Sequence, residues 1–162
     1  MDERLKAIRE HIRTHWVADF EWASHDLPSP PHPVRKPLGQ CRIGLVSSAG
    51  VYLRDSQAPF EERSGRGDHS FRVVPFPLDK AGIAISHEHY SHEHANADLN
   101  CVLPVDALAE LADEGRIGSV SPRIYSLMGY VPVWKLLLTE TAPAIARLVA
   151  EDRPDVVLYA PV

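Results

Sequence analysis

The sequence predicts an α/β fold with a Rossmann-like, doubly wound and mostly parallel sheet flanked by helices. Short apolar runs such as residues 41–46 and 155–162 are typical of strands that are buried on both faces. Segments with helical spacing of apolar residues alternate with these runs, which indicates an α/β sheet. The length of 162 residues predicts one domain, large enough to form a core without disulfides or metals.

An amphipathic helix and a proline-rich connector are predicted before the α/β domain. Residues 1–23 are assigned to the helix, which is expected to pack by one face. Its apolar side chains recur at helical spacing at Leu5, Ile8, Ile12 and Trp16. Residues 24–39 are too rich in proline for a helix or a strand and predict an extended connector. The single α/β domain is assigned to residues 40–162.

Strands and helices are predicted in turn within the α/β domain. The strand segments are residues 41–46, 71–76, 82–87 and 155–162. A short helix at 105–111 starts after a proline and stops before Gly115, and a longer one at 134–152 should be kinked or divided by Pro143. In such folds ligands gather at the carboxyl ends of the strands.

Composition and charge exclude several classes of protein. The chain carries 17 Lys plus Arg against 22 Asp plus Glu, a formal net charge of −5. A basic footprint for nucleic acid is therefore missing. No apolar run approaches the ~18 residues of a membrane span, and the first residues lack the apolar stretch of a signal peptide, so we expect no membrane and a cytoplasmic location. Cys41 and Cys101 are predicted to be free thiols that act as small buried hydrophobic residues.

Four histidines within eight residues form the most concentrated chemical signal. They are His87, His89, His92 and His94. If the strand continues through them, the first two point to the same face and can share one metal ion, and Asp98 and Cys101 add further donors. Zinc or iron would suit this set. The alternative is an exposed polar loop whose histidines bind nothing in the cell.

A second candidate site is the turn that presents Asp68, His69 and Arg72 before a strand. An arginine in such a place can hold a substrate carboxylate through two parallel hydrogen bonds. The alternative is an Asp–Arg pair that only pins the loop. Neither a phosphate-binding glycine fingerprint nor a serine-hydrolase elbow is present in the sequence.

Five motifs occur in a fixed order in the second part of the chain. They are Gly67-Asp68-x-Ser70-Phe71-Arg72, Ile85-Ser86-His87, Asp98-x-Asn100-x-x-x-Pro104, Glu110-Leu111-x-x-Glu114-Gly115-x-Ile117-Gly118 and Tyr125-Ser126-x-Met128-Gly129. In this order they resemble the selenoprotein B family, the substrate-cleaving subunits of glycine, sarcosine and betaine reductases and the related D-proline reductase. The resemblance runs from about Cys41 to Val162 and leaves the helix and the connector outside.

This resemblance implies a dithiol-dependent reductase that cleaves a carbon–nitrogen bond α to a carboxylate, through a selenolate or thiolate nucleophile. Asp68, Ser70 and Arg72 would then bind a small amino acid or a betaine-like substrate, and His87 would be a general acid or a ligand. An ionised chalcogen requires an electropositive pocket. Other subunits of a reductase complex and a second copy of the chain are the expected partners.

In similar proteins the reactive selenocysteine or cysteine follows the strand that corresponds to residues 155–162. We therefore expect that the reading frame is longer and is interrupted by a UGA codon after Val162. Otherwise Cys101, or with less support Cys41, would have to supply the nucleophile. The alternatives are a metal-binding protein that uses the histidine cluster and a non-catalytic partner domain that mediates oligomerisation.

Overall fold

The structure is a computed structural model that describes residues 2–16, 18–22 and 32–162. The chain divides into two compact units, Met1–His32 and Pro33–Val162, and each is described by itself. Half of the predicted proline-rich connector, residues 24–31, lies outside the described residues, as does residue 23. No described helix is long and apolar enough to cross a membrane.

Helix α1, Glu3–His15, is the regular element of the first unit. The Asp2 carboxylate caps it by accepting a hydrogen bond from the Arg4 amide at 3.0 Å. The helix is shorter than predicted, because the chain turns back and the Phe20 carbonyl accepts a hydrogen bond from Arg13 Nε at 2.8 Å. None of the helix residues is buried among the described residues of this unit, and the predicted packing by one face stays a prediction.

The second unit contains six strands and four further helices among the described residues. The strands are β1 Arg42–Ser47, β2 Val51–Leu53, β3 Phe71–Pro75, β4 Ile83–Ile85, β5 Ser119–Leu127 and β6 Val156–Ala160. The helices are α2 Glu93–Ala97, α3 Val105–Asp113, α4 Trp134–Leu136 and α5 Ala142–Asp152, with a π-helical turn, Leu137–Thr141, between the last two. As predicted, the long helical segment is divided just before Pro143, which occupies the first turn of α5, where a missing N–H costs little.

The main sheet has the strand order β3-β5-β1-β6. Strand β1 is parallel to both β5 and β6, whereas β3 is antiparallel to β5. Strands β2 and β4 form a separate antiparallel pair. The α/β class is therefore confirmed, with a mixed sheet; a Rossmann-like order is not confirmed.

Helices cover both faces of the centre of the sheet. Leu45 and Val46 are consecutive on β1 and so point to opposite faces. Leu45 belongs to one core cluster with Leu108 of α3, and Val46 belongs to another with Ile145 of α5. Burial on both faces is thus confirmed for β1. It is wrong for the edge strand β6, where Val157, Leu158 and Tyr159 are exposed.

Strand β5 was not predicted, although it lies between β1 and β3. Its sequence is interrupted by Pro122, which has no N–H to give to a neighbour. The register with β1 shifts at this point: Ile43 pairs with Val120 and Leu45 pairs with Ile124. The irregularity accommodates the proline, since an unpaired position in a bulge does not need the missing donor. The three-residue strand β2 was also missed.

A buried ionic cluster joins α5 to the sheet. Asp152, at the end of α5, accepts hydrogen bonds from Arg123 Nε at 2.8 Å and from the Tyr125 hydroxyl at 2.6 Å, and both donors lie on β5. Arg42 of β1 donates to the Asp152 carbonyl at 2.8 Å. Burial raises the pKa of Asp152, but the hydrogen bonds from Arg123 and Tyr125 outweigh it and hold that pKa below its ordinary value.

Candidate functional site

The three parallel strands end at one edge of the sheet and are linked there by hydrogen bonds. The Ser48 amide, just after β1, donates to the Ala160 carbonyl of β6 at 3.2 Å, and the Val162 amide donates to Ser48 Oγ at 2.9 Å. The Gly50 amide donates to the Leu127 carbonyl of β5 at 2.7 Å. This carboxyl edge is where an α/β sheet gathers its ligands.

The loop after β4 brings His87 to the carboxyl edge. The Ser86 amide donates to the Gly50 carbonyl at 2.9 Å. Gly50 has φ +70°, and a Cβ there would lie 2.3 Å from the Ser86 carbonyl oxygen, so this close approach requires glycine. His87 is only 3% exposed, and its Nε2 lies 3.0 Å from the position that a Cβ on Gly129 would take. The imidazole therefore lies beside the chain that leaves β5.

Tyr90 and His92 hold the same loop against the end of β1. The Tyr90 hydroxyl donates to the Ala49 carbonyl at 3.1 Å, and its ring meets the His87 ring edge to face, with centroids 5.0 Å apart. His92 Nε2 lies 2.6 Å from the His87 carbonyl oxygen. Burial raises the pKa of Tyr90 to about 12, so Tyr90 is a neutral donor at physiological pH.

The pKa of His87 is lowered, first by burial and then by the neighbouring His89 and His92 rings. The ring is therefore neutral at physiological pH. Its Nδ1 accepts a hydrogen bond from the His89 amide at 3.1 Å. Among the described residues, the buried Nε2 has no hydrogen-bond partner. An orphaned buried nitrogen at the carboxyl edge makes His87 the leading candidate for a functional side chain.

The four histidines do not converge on one point. Strand β4 ends at Ile85, so the alternation that would place His87 and His89 on one face does not reach them. Their rings meet edge to face with centroids 5.8 Å apart, and His89 packs on Tyr130 at 3.9 Å. His94 is exposed on α2. In the part of the chain that the structure describes, no group of three or more His, Cys, Asp or Glu side chains is arranged for a metal, so the zinc or iron hypothesis gains no support.

Asp68, Ser70 and Arg72 lie together, as predicted, beside an open cavity of about 450 Å³. Arg72 donates to the Ala58 carbonyl at 2.9 Å, the Pro59 carbonyl at 3.1 Å, the Ser70 hydroxyl at 2.8 Å and the Phe71 carbonyl at 3.2 Å. Its guanidinium also lies 4.1 Å from the centre of the Phe60 ring. Most donors of Arg72 are thus used within the chain, which favours the loop-pinning alternative; the role in substrate binding stays a prediction.

Asp68 is the centre of the turn that leads into β3. Its carboxylate accepts hydrogen bonds from the amides of Glu61, at 3.0 Å, and Ser70, at 2.8 Å. Burial raises the pKa of Asp68, but these bonds and the one from the Ser70 hydroxyl outweigh it and hold the pKa below its ordinary value. The carboxylate is therefore charged. Its bonds from Ser70 form an Asx-type turn, and the Glu61 amide ties this turn to the preceding segment.

The two cysteines differ in exposure. Cys41 is fully buried, as predicted for a small hydrophobic residue. Cys101 is exposed at the end of a 3-10 turn, Leu99–Cys101, so its predicted burial is wrong. The next residue, Val102, accepts a hydrogen bond from the Ser47 hydroxyl at the end of β1, at 2.7 Å. Cys101 therefore immediately precedes a residue that contacts the carboxyl edge, and its role as a nucleophile stays a prediction.

Three features of the site were not predicted from the sequence. Ser48 and Tyr90 act through contacts with residues more than 40 positions away, which no local pattern reveals. The sequence marks Gly129 only as the end of a motif, because its role depends on the imidazole beside it. Its place in the ordered series of motifs is the one sequence signal that pointed to Gly129.

Comparison with known proteins decides the family. The family model for glycine/sarcosine/betaine reductase selenoprotein B matches residues 10–159. The chain belongs to this family. The match begins within α1, so the boundary of the resemblance near Cys41 was placed too late. No solved structure gives a significant match to the chain.

Three curated relatives show how this family member compares in length. The D-proline reductase subunit gamma of Acetoanaerobium sticklandii is 35% identical over 126 residues, 78% of this chain and 50% of that protein. The glycine reductase complex component B subunit gamma is 32% identical over 76% of this chain in Symbiobacterium thermophilum and 33% identical over 62% in Carboxydothermus hydrogenoformans, covering 28% and 23% of those proteins. The chain spans half or less of the length of these three relatives.

The names of these relatives describe subunits of reductases, two of them as components of a complex. Those names describe the relatives, and partner subunits of this chain stay a prediction. Self-association of this chain stays a prediction.

Proposed function

We propose that this chain acts within a multi-subunit reductase that cleaves the carbon–nitrogen bond α to the carboxylate of a small amino acid or a betaine-like substrate. Membership in the selenoprotein B family carries the proposal, since the matched relatives are named as D-proline, glycine and betaine reductase subunits. The geometry of the carboxyl edge supports a ligand site at His87.

The proposed reaction consumes two electrons. The bond between Cα and nitrogen breaks, Cα gains a hydrogen, and the nitrogen leaves as an amine that carries a proton. The electrons come from a dithiol, which becomes a disulfide. A thiolate or selenolate can displace the amine and bond to Cα. A thiol of the dithiol then attacks this sulfur or selenium, the bond to Cα breaks as Cα takes up a proton, and the second thiol closes the disulfide and releases the nucleophile. In this chain the exposed thiol of Cys101 is the residue to test for that role.

The substrate is proposed to bind at the carboxyl edge, with its carboxylate near His87. Burial keeps the imidazole neutral, and the contacts of Tyr90 and His92 fix the loop that carries it. A hydrogen-bond donor that is already fixed in position stabilises a charged ligand group without reorganisation of the protein. The Asp68–Arg72 turn, whose polar groups are mostly satisfied internally, would support the neighbouring loop.

The test uses the complex that contains this chain, isolated from its own cells through an affinity tag on the chain. The complex is incubated in deuterated water with dithiothreitol and one substrate at a time: D-proline, glycine, sarcosine or betaine. We expect cleavage of one of them, with one deuterium gained at Cα, detected by mass spectrometry. L-Proline is the matched control for D-proline. Absence of cleavage of all four by a complex with co-purified subunits would refute the proposal.

A Cys101→Ser complex then assigns the nucleophile. Loss of cleavage with unchanged subunit composition would support Cys101, whereas full activity would exclude it. The Cys41→Ser complex is the control, because this thiol is buried and its replacement should act only through stability.

A further inference from the structure

The tautomer of His87 follows from one hydrogen bond. Its Nδ1 accepts the amide proton of His89 at 3.1 Å, so Nδ1 carries no hydrogen. A neutral imidazole has one donor and one acceptor nitrogen, and its hydrogen must therefore lie on Nε2. His87 is thus a hydrogen-bond donor through Nε2.

The position of this donor is fixed because residues before and after His87 in the sequence are bonded to the loop that follows β1. Ser86 is bound to Gly50 through the main chain at 2.9 Å, and Tyr90 is bound to Ala49 at 3.1 Å. His92 Nε2 lies 2.6 Å from the His87 carbonyl oxygen, which cannot donate, so the His92 nitrogen is the donor. The ring is therefore held before any ligand arrives, which reduces the entropic cost of binding.

The donor is buried but incompletely satisfied. His87 is 3% exposed, and Nε2 has no hydrogen-bond partner among the described residues. Buried donors without partners are rare and require an explanation. On one side the ring is covered by Gly129, which is itself exposed and has no side chain. A Cβ at this position would lie 3.0 Å from Nε2, so glycine leaves this side of the donor free of a side chain.

We propose that the Nε2–H of His87 donates a hydrogen bond to a carboxylate oxygen of the substrate at the carboxyl edge. This inference rests on the proposed function and gives His87 a binding role in place of proton transfer. A donor on a neutral ring stabilises a carboxylate without losing its proton. Burial strengthens the bond because the local dielectric constant is low.

The tautomer is tested by NMR on the full chain with ¹⁵N-labelled histidine. Couplings between the ring nitrogens and ring protons report which nitrogen carries the hydrogen. We expect the Nε2–H form for His87 at neutral pH, with a shift of the Nε2 signal when glycine or betaine is added. An Nδ1–H form, or a doubly protonated ring at neutral pH, would overturn the inference.

Two variants separate the donor from the local acceptor. His87→Asn keeps an acceptor near the Nδ1 position for the His89 amide but has no group near Nε2. His87→Gln places an amide donor near Nε2. We expect roughly ten- to hundredfold weaker binding of glycine or betaine for His87→Asn, measured by calorimetry, because one hydrogen bond to a charged group is lost. We expect His87→Gln to retain most of the affinity. Equal affinities of the native chain and His87→Asn would overturn the inference.

Failure of this inference can be told from failure of the proposed function. A complex that cleaves substrate while His87 is in the Nδ1–H form contradicts only the donor role. A chain that binds glycine or betaine through the Nε2–H form, in a complex without cleavage, contradicts only the proposed reaction. Absence of binding of D-proline, glycine, sarcosine and betaine alike by the native chain, alone and in the complex, overturns the donor role. If His87→Asn does not fold, the NMR result and the affinity of His87→Gln decide: a folded His87→Gln chain without affinity counts against the donor role.

Discussion

Replacement of Arg72 by alanine distinguishes a substrate anchor from a structural pin. The side chain is 14% exposed and donates four hydrogen bonds within the chain. Hydrogen bonds that involve a charged group contribute about 1.5–3 kcal/mol each, but such values are not additive. Water can solvate the carbonyls of Ala58 and Pro59, because these residues are exposed, and this lowers the cost. We expect a loss of about 2–4 kcal/mol in the free energy of unfolding for Arg72→Ala.

The assay is urea unfolding followed by circular dichroism, with thermal unfolding as a second measurement. At about 3 °C per kcal/mol for a chain of this size, the expected fall in Tm is roughly 6–12 °C. Arg72→Lys should recover little of it, since an ammonium cannot reproduce the planar fork of donors. Arg66→Ala is the matched control: Arg66 lines the same cavity but is exposed, and a change within about 0.5 kcal/mol is expected.

The result that would refute the pinning argument is a small loss of stability together with a loss of ligand response. If Arg72→Ala unfolds within about 0.5 kcal/mol of the native chain, and glycine or betaine no longer raises Tm, Arg72 anchors the substrate carboxylate. A large loss of stability with a retained ligand response supports the structural role.

Three further outcomes are expected. The free energy of unfolding should fall in acid, because the pKa of Asp152 in the folded chain lies below its ordinary value of 3.8. The stabilisation by Asp152 is complete at pH values above 3.8 and is lost as the pH falls through the folded pKa. Asp152→Asn should lower the free energy of unfolding by about 3 kcal/mol at neutral pH and reduce its dependence on acid. If urea unfolding of this variant showed the same pH dependence as the native chain, the prediction would be contradicted. Iodoacetamide should modify Cys101 in the native chain and Cys41 only after unfolding, as read by peptide mass spectrometry; equal rates would contradict the burial of Cys41. Gly129→Ala should weaken binding of glycine or betaine, because the new methyl would crowd the imidazole, whereas Gly82→Ala, with nothing within 4 Å, should not; equal calorimetric affinities would refute the crowding.

The strands that sequence predicts best are those whose signal is local. Strand β1 is a continuous apolar run and was predicted within one residue. Strand β5 was missed because Pro122 and several serines conceal it, and its place between β1 and β3 depends on pairing with distant segments. The burial of β6 was mispredicted because a strand's position in the sheet order is not encoded in its own apolar residues.

The candidate site shows the same division. Composition and periodicity by themselves determined the α/β class, and the order of five motifs indicated the selenoprotein B family, since these are local or linear properties of the chain. Only the tertiary structure decided that the four histidines do not converge and that Arg72 donates most of its hydrogen bonds within its own loop. It also decided that His87 has an Nε2 without a partner among the described residues, beside Gly129. The orphaned Nε2 depends on segments far apart in sequence, and the other two facts depend on distances and directions within a loop. Residue type alone does not encode which polar groups are satisfied in either case.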